Sequence, residues 1–229
     1  MCGRYLLTAP PDEVAQTFSV DVRDNFPPRY NIAPTQPVAA VRLDRGGARA
    51  YALLRWGFIP GWRGTEAGRP LINARAETVA EKRSFSGAFK RRRCLVPASG
   101  FYEWRRGEGA PQPFLFEPAA GGLFAFAGIW ETSLADNGSE AETVAMLTIE
   151  AGPDMAAIHH REPVVVAPDA FDRWLTTDET ETAALAPLLR AQAAGFWRSR
   201  AVSKAVNKVA NDGPALIEPA APPAQGALF

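Results

Sequence analysis

The sequence predicts an α+β fold built on a curled, largely antiparallel β-sheet or barrel with a few flanking helices. Two observations carry this reading. Short apolar runs punctuated by Gly and Pro recur along most of the chain, and helical patterning is confined to a handful of pieces that do not alternate with the strands.

In chain order, Pro10-Pro11-Asp12 opens a helix over residues 11–18, since proline is tolerated in a first turn and an acidic residue suits a helix N-terminus. The apolar runs 38–43 and 50–59 read as strands. Residues 64–70 read as a surface loop, Asn73-Ala74-Arg75 as a strand end, and 76–89 as a helix. Four further runs, 94–104, 113–116, 123–130 and 143–149, read as strands, with 137–142 a loop. Helical patterning returns at 154–159, the run 163–166 reads as a strand, and helices are expected over 169–175 and the alanine- and leucine-rich 179–194. Pro168-Asp169 is a helix start of the same kind as the first. The proline- and alanine-rich end, with Pro219, Pro222 and Pro223, is expected to be disordered over 220–229. No internal repeat is present.

With 229 residues and 47% hydrophobic content the chain fits one domain better than two, expected over residues 2–219. Lys plus Arg equals Asp plus Glu at 25 each, so no overall basicity announces a nucleic-acid partner and any such site must be a local patch. No apolar stretch approaches the roughly 20 residues of a membrane span, and the N-terminus lacks a secretory signal, so no membrane partner and a cytoplasmic location are expected. Cys2 and Cys94 with His159 and His160 support neither a disulfide framework nor a zinc site, so no metal or cofactor is expected.

The N-terminal Met1-Cys2-Gly3-Arg4 carries the most specific chemistry. Removing Met1 leaves Cys2 with both a free α-amine and a thiol. Such a 1,2-aminothiol condenses with an aldehyde to a Schiff base, and the thiol then closes on the same carbon to give a thiazolidine. Three other places set polar residues where a strand or a junction would be apolar. Glu103 lies in Phe101-Tyr102-Glu103-Trp104, and is either solvated or an inward-facing proton carrier with a raised pKa. His159 and His160 precede the apolar run from Val164, as hydrogen-bonding residues or as catalysts. Asn73 either caps the helix expected after it or belongs to a site. Arg4, Arg75, Lys90, Arg91, Arg92 and Arg93 provide cations for a phosphate track, and Trp56, Trp62 and Tyr30 offer stacking faces. The alternative for these is a solvated loop and core tryptophans.

Together these segments resemble the SRAP family of abasic-site-processing proteins. The resemblance spans about residues 2–219 and rests on Cys2-Gly3-Arg4-Tyr5, Arg29-Tyr30-Asn31-Ile32-Ala33-Pro34, Arg55-Trp56-Gly57-Phe58-Ile59-Pro60, Asn73-Ala74-Arg75-Ala76-Glu77-Thr78, Gly100-Phe101-Tyr102-Glu103-Trp104, Ile158-His159-His160-Arg161, Val202-Ser203 and Val206-Asn207. Two residues depart from the pattern. The family commonly has Met where this chain has Glu162, and some members have a second aromatic where this chain has Arg63.

The resemblance implies covalent capture of abasic sites in single-stranded DNA, with Cys2 the nucleophile, Glu103 and His159 the proton carriers and Asn73 holding the amine or sugar. It further implies DNA contacts from Arg4, Arg75, Trp56, Trp62 and Arg161, and single-stranded DNA as the partner of a monomer associated with the nucleoid during DNA damage. The Schiff-base stage permits a lyase side activity, and the resemblance brings with it autoproteolytic loss of Met1 as a further expectation. Two alternatives come from other classes. A cysteine at position 2 also suits an N-terminal-nucleophile amidotransferase, which a glutaminase assay separates. A non-covalent single-strand-binding module would treat Cys2 as incidental and leave no adduct on a denaturing gel.

Overall fold

The computed structural model describes residues 2–22, 25–62, 69–107, 109–134 and 139–220. Its strands are β1 (Tyr5–Leu7), β2 (Arg29–Ile32), β3 (Pro37–Leu43), β4 (Arg49–Trp56), β5 (Asn73–Arg75), β6 (Arg93–Ala98), β7 (Gly100–Arg105), β8 (Gln112–Pro118), β9 (Phe124–Leu134), β10 (Glu140–Glu150), β11 (Arg161–Pro163), β12 (Val165–Val166) and β13 (Trp197–Ala201). Three short α-helices accompany them: α1 (Pro11–Phe18), α2 (Ser86–Arg91) and α3 (Phe171–Thr176).

Two sheets result. Strands β3, β4, β10, β9 and β6 pair in a ring that closes on itself, antiparallel except at β4–β10, with β5 parallel on β10 and β11 and β12 at the periphery. The second sheet runs β13-β8-β7-β1-β2, antiparallel throughout. The curled, largely antiparallel sheet with few helices is therefore the fold observed.

Side-chain alternation couples the sheets. In β1, Tyr5 and Leu7 enter the main core while Leu6 enters a smaller cluster with Tyr102, Leu115, Val202, Val206 and Leu216 on the other face. The Tyr5 ring meets Trp56 edge-on at 5.5 Å and Phe126 at 5.6 Å, so the first strand is pinned to the barrel.

The expected single run over 94–104 is two strands, β6 and β7. The chain changes sheet between them: the Ser99 N–H donates to Leu6 O at 2.9 Å, and the Ser99 hydroxyl accepts from Thr8 N at 3.0 Å. Gly100 follows where a Cβ would come within 2.8 Å of Phe116 O, so only glycine fits that approach.

Three expected helices are corrected. Residues 76–85 form separate turns closed by bonds such as Lys82 N to Thr78 O at 2.9 Å, and only Ser86–Arg91 is helical. Over 154–159 there is a set of turns. In 179–194 the regular piece is a 3-10 helix, Thr182–Leu188, containing Pro187, whose missing N–H and fixed ring disfavour a continuous α-helix. The helix expected over 169–175 is a 3-10 turn, Pro168–Ala170, running into α3. Strands β1, β2 and β13 were too short or too polar to read from the sequence. The expected loop over 64–70 falls mostly, and the expected disordered tail over 220–229 almost wholly, outside the described residues, whereas the loop expected over 137–142 is corrected: 137–138 lie outside the described residues and 140–142 already belong to β10, paired with β9. Of that tail, Ala220 donates its N–H to Ala201 O at 2.8 Å. Among the described residues, no helix is long and apolar enough to cross a membrane.

Candidate active site

Strand β1 is too short to carry Cys2, yet its pairing fixes where Cys2 goes. Tyr5 sits opposite Phe101 in β7, and the Tyr102 N–H donates to Arg4 O at 2.9 Å, so the segment before β1 runs back alongside Glu103. Cys2 is fully buried, and the Asn73 side-chain amide donates from Nδ2 to Cys2 O at 2.8 Å. Burial and then the Glu103 charge push the Cys2 thiol up, so it is held protonated at neutral pH.

Asn73 opens β5, where Met146 of β10 is its register partner. With Nδ2 committed to Cys2, its Oδ1 is buried without a hydrogen-bond partner among the described residues. An orphaned acceptor beside a chain terminus is a place for an N–H donor. The helix cap suggested by the sequence is not its role, because the residues that follow form turns.

Glu103 is 3% exposed. Alternation explains why: Phe101 and Glu103 share one face of β7, and Phe101 belongs to the main core while Tyr102 faces the smaller cluster. Burial raises the Glu103 carboxyl above the ordinary carboxylate range. Its Oε1 lies 4.0 Å from Nδ1 of His159.

His159 ends the turns that precede β11. Nδ1 accepts from the Arg161 N–H at 3.1 Å and lies 3.0 Å from Arg161 O. Nδ1 thus has a partner in either neutral tautomer, accepting from the Arg161 N–H or donating to its carbonyl, and the protonated ring donates to that carbonyl. Burial lowers the His159 pKa, so the neutral form prevails at neutral pH. The exposed His160 packs its ring against that of His159, with centroids 4.5 Å apart.

Cys2, Asn73, Glu103 and His159 are thus contributed by the segments before β1 and β11 and by β5 and β7, and they converge. A cavity of about 480 Å³ lined by Leu123, Phe124, Val166, Leu188 and Phe196 contains none of the four. Among the described residues, no cluster of His, Cys, Asp and Glu has the arrangement of a metal site.

The cations and aromatics divide differently from the sequence expectation. Arg75 is exposed and shares its face of β5 with Asn73, two residues away. Trp62 is 57% exposed, with Arg83 stacked 4.7 Å above its ring. Trp56 is a correction: it is fully buried and its Nε1 donates to Ile72 O at 2.9 Å, so no face is open to a base. Arg4 is partly buried and its guanidinium donates to Asn31 Oδ1 at 2.7 Å and to Val206 O at 2.6 Å. Arg161 forms a two-bond pair with Glu77, at 2.5 and 2.9 Å, and also donates to Thr148 O. The three arginines of the run 90–93 form no free track, although Lys90 is exposed: Arg91 pairs with Glu179, Arg92 with Glu131, and buried Arg93 donates to the carbonyls of Phe89, Lys90, Trp174 and Thr177. Arg63 lies outside the described residues. The sequence reading missed Glu77 as a partner, although it stands inside the motif that holds Asn73. The pairing spans 84 positions and leaves no local signal.

Comparison with known proteins decides the family. The family described as SOS response associated peptidase (SRAP) matches residues 1–209. This chain belongs to the SRAP family. It is 34% identical over 223 residues to the abasic site processing protein YoqW of Bacillus subtilis, covering 95% of this chain and 99% of that one. It is 31% identical over 228 residues to the abasic site processing protein YedK of Escherichia coli, covering 96% and 100%. A crystal structure of a protein from Bacteroides thetaiotaomicron superposes with a TM-score of 0.85, covering 96% of this chain and all of that one at 23% identity, so the two share a fold.

Proposed function

We propose that this SRAP chain processes abasic sites, and that it does so by capturing them covalently in single-stranded DNA through Cys2. The observation that carries the reading is the convergence around Cys2: Asn73 holds its carbonyl, Glu103 acts on its thiol by charge, and His159 Nδ1 stands 4.0 Å from Glu103. Relatives over the full length are named abasic site processing proteins, which supports the substrate class.

The chemistry begins with loss of Met1. A free α-amine has a pKa of about 7.7–8.0, so roughly a tenth to a fifth is neutral at pH 7. Glu103 accepts the ammonium proton, and Asn73 Oδ1, which has no partner among the described residues, orients the amine. An abasic sugar rests mainly as a closed hemiacetal. His159 protonates or orients the ring oxygen and favours the open aldehyde. The amine adds to the aldehyde carbon to give a carbinolamine, and Glu103 returns its proton as water leaves and the C=N bond forms. The Cys2 sulfur then bonds to the same carbon while its proton passes to nitrogen, closing the thiazolidine. Aldehyde plus aminothiol give thiazolidine plus water.

Burial orders these events. A thiol held protonated is a poor first nucleophile, so the amine attacks first and the thiol closes the ring once the iminium carbon is beside it. The same Schiff base permits β-elimination, the source of a lyase side activity. Arg75 and Trp62, both exposed, are the proposed contacts to phosphate and base.

The test is denaturing electrophoresis with an abasic single strand and protein whose intact mass confirms loss of Met1. Cys2→Ala should abolish the adduct, and Cys2→Ser should give at most a labile imine. Equal cross-linking rates with Met1 retained and removed would overturn the mechanism.

A further inference from the structure

Glu162 is 1% exposed and, among the described residues, forms an ion pair with no cation. Both of its oxygens are used by backbone N–H groups instead: Gly152 N donates to Oε2 at 2.7 Å and Gln192 N to Oε1 at 2.7 Å. We propose that Glu162 is a positioning residue that, together with Asp154, clamps the loop carrying His159 onto the wall that carries Glu103. This rests on the reading of His159 and Glu103 as the proton carriers.

The loop is closed at its neck. Gly152 O accepts from Met155 N at 3.1 Å and Ala156 N at 3.0 Å, Met155 O accepts from His159 N at 2.9 Å, and Ala151 N donates to His160 O at 3.1 Å. Glu162 Oε2 therefore holds the first residue of a run whose last is His159. A side chain at 152 has no room, since a Cβ there would lie 2.8 Å from Gln192 O and 3.2 Å from Glu162 Oε2. Asp154, inside the same loop, makes the second half of the clamp: Gly195 N donates to Oδ1 at 3.0 Å and Trp197 N to Oδ2 at 2.9 Å. Four backbone N–H groups thus end on two carboxylates, fastening the loop to residues 192–197.

From there the path to Glu103 is through packed rings. Trp197 is 6% exposed and meets Phe101 edge-on at 5.0 Å, and Phe101 precedes Glu103 by two residues on the same face of β7. This circuit acts on the separation of His159 and Glu103 beside the contacts of His159 Nδ1 with the Arg161 backbone. A carboxylate is the side chain suited to the task, because its two acceptor oxygens serve two separate donors, Gly152 N and Gln192 N.

Glu162→Gln is the test, as its amide keeps one acceptor and sets an N–H₂ against the second donor. Three measurements read it in the full chain: amide exchange at residues 152–159, the titration of the His159 ring by NMR, and adduct formation at saturating abasic strand beside the affinity of the Cys2→Ala background for an intact strand. The expected result is lost protection, a His159 midpoint moved up toward the ordinary 6.5 as the ring gains solvent, and a rate lowered about 10- to 100-fold with affinity unchanged. Asp154→Asn, at a half-exposed position, should shift all three in the same direction by less, and keeps the test readable if Glu162→Gln folds poorly. Unaltered exchange and His159 titration in both variants would overturn the clamp. Altered exchange and titration with a wild-type rate would support the clamp and count instead against His159 as a proton carrier.

Discussion

Replacing Arg4 by alanine separates two roles that one charge can play. The sequence suggested a phosphate contact, whereas the guanidinium is spent on Asn31 Oδ1 and Val206 O. Asn31 is 1% exposed, and its Nδ2 in turn donates to the carbonyls of Lys208 at 3.0 Å and Asn211 at 2.7 Å. Arg4 is the donor that completes a knot tying the C-terminal segment to β1 and β2. Arg4→Ala leaves Asn31 Oδ1 buried with no donor, a cost of about 1–3 kcal/mol, and removes a charge-assisted bond of similar size. Val206 O keeps Asn31 Nδ2 at 3.3 Å, so that carbonyl is not orphaned as well. A net loss of about 2–4 kcal/mol follows, which for a chain of this length lowers the melting temperature by roughly 5–15 °C. Urea and thermal unfolding measure it, alongside anisotropy with an intact single strand at a temperature where both proteins are folded. An unchanged melting temperature with a tenfold or greater loss of affinity would refute the argument and make Arg4 a phosphate ligand.

Two further outcomes follow from the site. Because Glu103 has a folded-state pKa above its ordinary 4.5, its contribution to stability is full below that value and is lost as pH rises through the folded pKa. Glu103→Gln should therefore gain stability relative to wild type as pH increases above about 4.5 while forming adduct about a hundred to ten thousand fold more slowly; urea titrations at several pH values check the first, and a pH-independent difference contradicts it. Arg75→Ala should weaken binding of abasic and intact strands alike and flatten the slope of log affinity against log salt by about 0.7, the share of one phosphate contact on a single strand. An unaltered slope removes Arg75 from the interface.

Much of the fold was legible because strand signals are local. Runs such as 38–43 and 143–149 hold enough consecutive apolar residues to be buried on sight, and they became β3 and β10 with a few residues added at the ends. The failures have a common cause. At 76–85 and 154–159 the spacing of apolar residues imitates a helix, but the chain there is held by bonds to other segments, such as Ala76 N to Thr148 O at 2.8 Å. β1 is only three residues long, and its strand character comes from β2 and β7 on either side.

In the candidate site, legibility depended on whether a residue's role is set by its neighbours in sequence or by a distant partner. Glu103 was readable as an anomaly, a carboxylate among aromatics, and the alternation of β7 resolves it inward. Charges were not readable in this way. Asn31, which accepts from Arg4, lies 27 positions away, the partner of Arg92 39, that of Arg161 84, and Arg93 joins the nearby carbonyls of Phe89 and Lys90 to that of Trp174, 81 positions away. Each pairing removes a cation that composition had counted as available for phosphate. A guanidinium already desolvated and bonded would have to break those bonds before it could neutralise DNA, and a single-strand contact repays little beyond counterion release. Exposure rather than charge therefore favours Arg75 over these four arginines, and its place on the same face as Asn73 sets it beside the residue that holds Cys2.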